Sequence, residues 1–186
     1  MPPPATTLSL EEDFDQLWTD LAGAAAQWRS PAESAPAAKA CPPYLNFGQG
    51  GNALEHCIFG WSAAEPQWTW TLGPEATLDL PVPVTEESFF LNVRVSPMQA
   101  TVQSVQRVRV LVDGEPLAEW RVSHAGHYFA LLHPDRFLGR SRFLLQFQLP
   151  DAISPQALGW SGDDRDLALR FFELWLSPLT PLAFGA

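Results

Sequence analysis

The sequence predicts an all-β fold: a two-sheet antiparallel β-sandwich of jelly-roll type, with an amphipathic helix in front of it. Three observations carry this. Short runs of alternating apolar and polar residues recur from about residue 44 to 176. Turn signals separate them, with Asp113-Gly114 the strongest. The 18 prolines and the scarcity of long helical periodicity disfavour a helical bundle.

The exception comes first in the chain. Residues 9–28 read as a helix: Ser9 and Glu12 fit a capping box, and Leu10, Phe14, Leu17, Trp18, Leu21 and Trp28 recur at helical spacing. The first turn is acidic, which suits the helix dipole. The apolar stripe needs a surface to cover it, so Leu10, Phe14, Leu17, Trp18 and Leu21 are candidate contacts to the rest of the chain, a second copy or a protein partner. The expected organisation is an acidic helix in 1–29, a Pro/Ala-rich linker in 30–43, the sandwich in 44–178 and a loose tail in 179–186.

Within the sandwich, "WTWT" (68–71) alternates, putting Trp68 and Trp70 on one face, expected to be the core, and Thr69 and Thr71 on the other. "ATLDLPV" (76–82) follows the same period through Leu78 and Leu80. "SFFLNVRV" (88–95) places Phe89, Leu91, Val93 and Val95 together. "VQRVRVLV" (105–112) sets Val108, Val110 and Val112 against Arg107 and Arg109, and "EPLAEWRV" returns beyond the Asp-Gly turn. "HYFALL", "RFLLQFQL" and "LALRFFELWL" complete the set. The connection 150–166 is long, polar and rich in Pro and Gly, so loop function is expected there.

Net charge is −10, and five acids (Glu11, Glu12, Asp13, Asp15, Asp20) precede the first basic residue, Arg29. That balance argues against nucleic acid and an anionic membrane as partners. The start lacks a basic, apolar leader and no run is long enough to span a bilayer, so the expected location is the cytoplasm. There Cys41 and Cys57 are expected as free thiols, a disulfide between them being the alternative after export.

Three segments, taken together, resemble β-sandwich accessory domains found with bacterial glycosyltransferases and surface-polysaccharide biosynthesis proteins. They are "FGQGGNALEHCIFGWSAAEPQWTWTLGPEATLDLPVP" (47–83), "QRVRVLVDGEPLAEWRV" (106–122) and "LPDAISPQALGWSGDDRDLALRFFELWL" (149–176). The resemblance implies a sandwich like that of carbohydrate-binding modules. It also implies a non-catalytic recognition or accessory role in polysaccharide biosynthesis, with a glycan or a glycosyltransferase as partner. The alternative is a structural adaptor that self-associates or docks through its N-terminal helix.

The triplet Gly-Trp-Ser occurs at 60–62 and at 159–161. If each is a turn and both lie at one end of the sandwich, Trp61, Glu65, Gln67, Asn52, Trp160 and Asp163 form a candidate ligand site: aromatic rings for sugar faces, carboxylates and amides for hydroxyls. Asp163, Asp164 and Asp166 offer a weaker calcium alternative without EF-hand spacing. His124, His127 and His133 with Asp135 lack the HxH or HExxH spacing of a metal site and read as turn and surface residues. No GxSxG or phosphate loop is present, no cofactor is implied and no complete catalytic set is visible. Paired carboxylates of a glycan hydrolase need not be near in sequence, and Glu65 would be the first member to test.

Overall fold

A computed structural model describes residues 44–84, 87–98 and 104–179. The helix expected at 9–28, with Leu10, Phe14, Leu17, Trp18 and Leu21, the linker 30–43 and Cys41 lie outside the described residues. Eleven strands follow in chain order. They are β1 (Tyr44–Asn46), β2 (Cys57–Phe59), β3 (Trp61–Ala64), β4 (Thr69–Leu72), β5 (Glu75–Pro81) and β6 (Phe89–Pro97). The second half comprises β7 (Gln106–Val112), β8 (Glu115–Val122), β9 (Gly126–Leu132), β10 (Arg142–Gln148) and β11 (Leu167–Pro178).

They form two antiparallel sheets. One runs β3-β4-β11-β6-β9, with β1 also paired to β11. The other runs β2-β5-β10-β7-β8. The fold is therefore the all-β, jelly-roll-like sandwich that the alternation predicts. β11 is its organising strand. One of its edges is shared between β4 and β1, and the other belongs to β6. A bulge between Phe171 and Glu173 lets the strand serve all three.

Alternation places the core where the sequence puts it. Phe89, Leu91, Val93 and Val95 of β6 face Val108, Val110 and Val112 of β7, and all are buried. Phe143, Leu145 and Phe147 of β10 and Phe171, Leu174 and Leu176 of β11 close the layer. Each such side chain stabilises the fold by roughly 1.5–3 kcal/mol through removal from water. The β7–β8 turn is the expected hairpin: Asp113 and Gly114 have φ of 51° and 84°, the two positive values of a type I′ turn. Asp113 adds a side-chain role, accepting from Leu144 N–H at 2.9 Å and pairing with Arg140.

In one strand the faces are reversed. Thr69 and Thr71 point inward at 0% exposure, and Trp68 and Trp70 lie on the outer face of the sheet. The inward hydroxyls are satisfied: Thr69 donates to Phe47 O at 2.6 Å, and Thr71 accepts from Leu169 N–H at 3.0 Å. That removes the usual penalty for burying threonine. Trp70 is still only 8% exposed, because Met98, Leu167 and Leu158 pack over it outside the main core.

Cys57 has a thiol directed at Ala53 O at 3.4 Å, and burial pushes its pKa up to about 12. The thiolate is the reactive form. Folded protein at pH 8 should therefore resist alkylation at Cys57 and react on unfolding in urea, read by mass spectrometry of the labelled peptide. Equal labelling in both states would contradict this burial.

Candidate functional site

The outer face of the six-stranded sheet is built by register. With Leu45, Leu174, Val93 and Ala130 turned inward, their neighbours turn outward. One row across the sheet reads Tyr44, Trp175, Asn92, Phe129. The next reads Asn46, Glu173, Arg94, His127. Tyr44 is 43% exposed and Phe129 66% exposed, whereas Trp175, within the row, and Phe90, beside Phe129, are half-buried.

The rings brace one another. Phe90 meets Phe129 edge-on at 6.0 Å, and His127 meets Trp175 edge-on at 5.6 Å. Arg94 lies over Phe172 at 4.7 Å and within 3.5 Å of Glu173. Trp68 meets Phe172 edge-on at 6.0 Å, and Arg170 lies over both Trp68 (5.1 Å) and Trp70 (4.7 Å). The result is a ladder of aromatic rings alternating with guanidinium groups. Asn92 is fixed in place, donating to Ser177 Oγ at 2.9 Å and Phe90 O at 3.2 Å. The His127 imidazole is held below its ordinary pKa, first by partial burial and then by the Arg94 charge, with Glu173 opposing both.

Three donors on this face, Trp68 Nε1, Arg94 Nε and Arg170 Nε, are buried with no hydrogen-bond partner. Chemically the face offers flat apolar rings with amide, carboxylate and imidazole groups between them. That combination suits the mixed apolar and hydroxyl surface of a sugar.

The residues singled out by sequence fare differently. Trp61, expected to be exposed, is turned into the sandwich. It contacts Phe47 (5.1 Å), Phe171 (4.9 Å) and Phe147 (6.5 Å), and its Nε1–H donates to Thr77 O at 2.9 Å. Three aromatic partners from distant segments and one carbonyl make the interior the better place for that indole. Asn52 has its amide committed: it donates to Tyr44 O and accepts from Asn46 N–H, both at 2.9 Å, so it acts as a strand partner for β1. Trp160 is 54% exposed. Gln67 is exposed in the turn between β3 and β4, which Glu65 N–H closes on Trp68 O at 2.7 Å.

The first Gly-Trp-Ser segment and Asp166, at the end of the loop that follows the second, are held at adjacent positions where β4 ends. Successive residues Leu72 and Gly73 donate their N–H groups to Gly60 O (2.8 Å) and Asp166 O (2.7 Å). Glu65 also acts electrostatically on Arg165. Asp163 is taken up by Arg165, at 2.9 and 2.6 Å, and its carboxyl is held down to about 2 by that guanidinium. Among the described residues no three carboxylate, histidine or cysteine groups are grouped where they could hold a metal ion, and Asp163 is engaged by Arg165.

Sequence reading missed Trp175, Phe129 and Tyr44. A signal existed for part of this: the positions between the core residues of "SFFLNVRV" are Phe90, Asn92 and Arg94, and those of "RFFELWLS" include Phe172 and Trp175. Outward aromatics beside outward polar groups are a surface pattern, not a core one.

No family model and no curated protein matches the chain. Solved structures do. One is the CBM22-1 xylan-binding domain of Xyn10C from Paenibacillus barcinonensis, with a TM-score of 0.50 and 14% identity over 77% of this chain and 99% of that one. Another is the CBM36-1 domain of a multidomain xylanase from the hindgut metagenome of Trinervitermes trinervoides, with a TM-score of 0.47 and 8% identity over 75% and 98%. A third is a family 35 carbohydrate binding module from Clostridium thermocellum, with a TM-score of 0.41 and 10% identity over 74% and 98%. At such identities the likeness concerns the fold: the chain is a two-sheet sandwich of the kind seen in carbohydrate-binding modules.

Proposed function

We propose that this sandwich is a non-catalytic carbohydrate-recognition module whose ligand lies across the outer face of the six-stranded sheet. The observation that carries the reading is the cross-strand row Tyr44, Trp175, Asn92, Phe129. Its three rings stand on the outer face beside a hydrogen-bonded amide. Stacking on the rings supplies affinity, and Asn92, Glu173 and Arg94 supply orientation. The setting we propose, an accessory role in bacterial polysaccharide biosynthesis, rests on the three resembling segments.

Calorimetric titration of neutral oligosaccharides against the full chain tests the binding. Trp175→Ala should weaken it about tenfold or more, roughly 1.4 kcal/mol, with Trp160→Ala unchanged. Absence of binding at millimolar oligosaccharide, or equal affinity of the Trp175 variant and wild type, would sink the assignment.

A further inference from the structure

The opposite face of the sandwich carries a different kind of site. Across the five-stranded sheet, register aligns Glu75, Gln148, Arg109 and Glu119 in one row through β5, β10, β7 and β8. At roughly 4.8 Å per strand, the row spans about 14 Å. Beside it Arg107 and Arg121 are direct cross-strand partners. These six residues line a groove of about 600 Å³, within the size range of ligand sites.

The three guanidinium and three carboxylate groups here, Asp151 included, are not all paired with one another. Arg107 is gripped from the loop after β10: Asp151 accepts from its Nε and Nη2 (2.9 and 2.6 Å) and also from its backbone N–H at 2.8 Å. Arg109 pairs with Glu119 at 3.0 Å, and Glu75 accepts from Gln146 at 3.2 Å. Arg121 and Gln148 make no side-chain hydrogen bond or ion pair among the described residues. Two guanidinium groups placed directly opposite each other repel. The pair persists here in a chain of net charge −10, one partner clamped and the other unpaired.

We infer that this groove binds a polysaccharide bearing carboxylates, a uronate chain, with one carboxylate seated between Arg107 and Arg121. A guanidinium fork matches a carboxylate in a two-point geometry, and the clamp by Asp151 sets Arg107 in advance. Gln148 and Glu119 meet ring hydroxyls along the row. Trp120, the aromatic residue at this groove, faces inward and donates to Phe129 O at 3.1 Å, so recognition here runs on charge and hydrogen bonds.

The test uses the full chain and a galacturonate trisaccharide, followed by NMR titration of backbone amides in β7, β8 and β10. Binding should weaken about tenfold with Arg121→Gln, with the methyl-esterified trisaccharide, and on raising NaCl from about 50 to 500 mM. Arg121→Gln should keep or raise the melting temperature, because it relieves repulsion. Trp175→Ala should leave this titration unchanged, which separates it from the aromatic face. Equal binding of the methyl ester, or of Arg121→Gln, would overturn the proposal. So would acetate that shifts the same amides as strongly as the trisaccharide at equal carboxylate concentration, since that marks a general anion site.

Discussion

Gly60→Ala lowers the unfolding free energy by about 2–5 kcal/mol in urea titrations, a sum of left-handed strain and overpacking. Gly60 has φ of 79°, and a Cβ there would sit 2.1 Å from Glu75 O and 2.7 Å from Ala76 Cα. Those neighbours are backbone atoms of β5, which is hydrogen-bonded on both sides by β2 and β10. Relief requires breaking sheet pairing or the Leu72–Gly60 bond. Gly159, the glycine of the second Gly-Trp-Ser, makes the internal control. Its φ is 71°, yet nothing lies within 4 Å of its Cβ position. Gly159→Ala should cost only the backbone strain, about 1–2 kcal/mol. Equal losses at both positions would refute the packing account.

Trp61→Ala removes about 3–5 kcal/mol of stability, most of the margin of a domain stable by roughly 5–15 kcal/mol. The indole touches Phe47, Phe147 and Phe171, and so ties the β1 end to both sheets. Trp61→Phe keeps an aromatic ring but deprives Thr77 O of its indole donor, for a loss of about 1–3 kcal/mol. Trp160→Ala, by contrast, should fall within about 0.5 kcal/mol of wild type. Chemical denaturation of the three variants decides it, and a neutral Trp61→Ala would return that residue to the surface.

The same triplet thus encodes two environments, which shows where sequence reading stops. Local pattern was sufficient for β6, β7 and the Asp113-Gly114 hairpin, since alternation and turn residues act within a few positions. It also fixed that Trp68 and Trp70 face opposite to Thr69 and Thr71. Which pair faces inward depends on Phe47 and Leu169, 22 and 98 residues away, whose backbone groups pair with the buried hydroxyls. Hydrophobicity alone favours the wrong pair. Trp61 is similar: its interior position needs Phe47, Phe147 and Phe171 to be assembled first. The aromatic face was legible in parts, on β6 and β11. Its row exists only because Tyr44 pairs with Trp175, a contact across most of the sandwich sequence.

That pairing has a consequence for how the domain assembles. β11 is made after every other strand, yet it lies between β6 on one edge and β4 and β1 on the other. Until residues 167–178 leave the ribosome, β4 and β6 have no shared neighbour and keep unpaired edges. The five-stranded sheet has all its members by residue 148 and can form first. Assembly of this protein is therefore a late, long-range closure, the slow end of two-state topologies. The nascent chain carries open strand edges, with their liability to pair with other chains, until residues 167–178 have been synthesised.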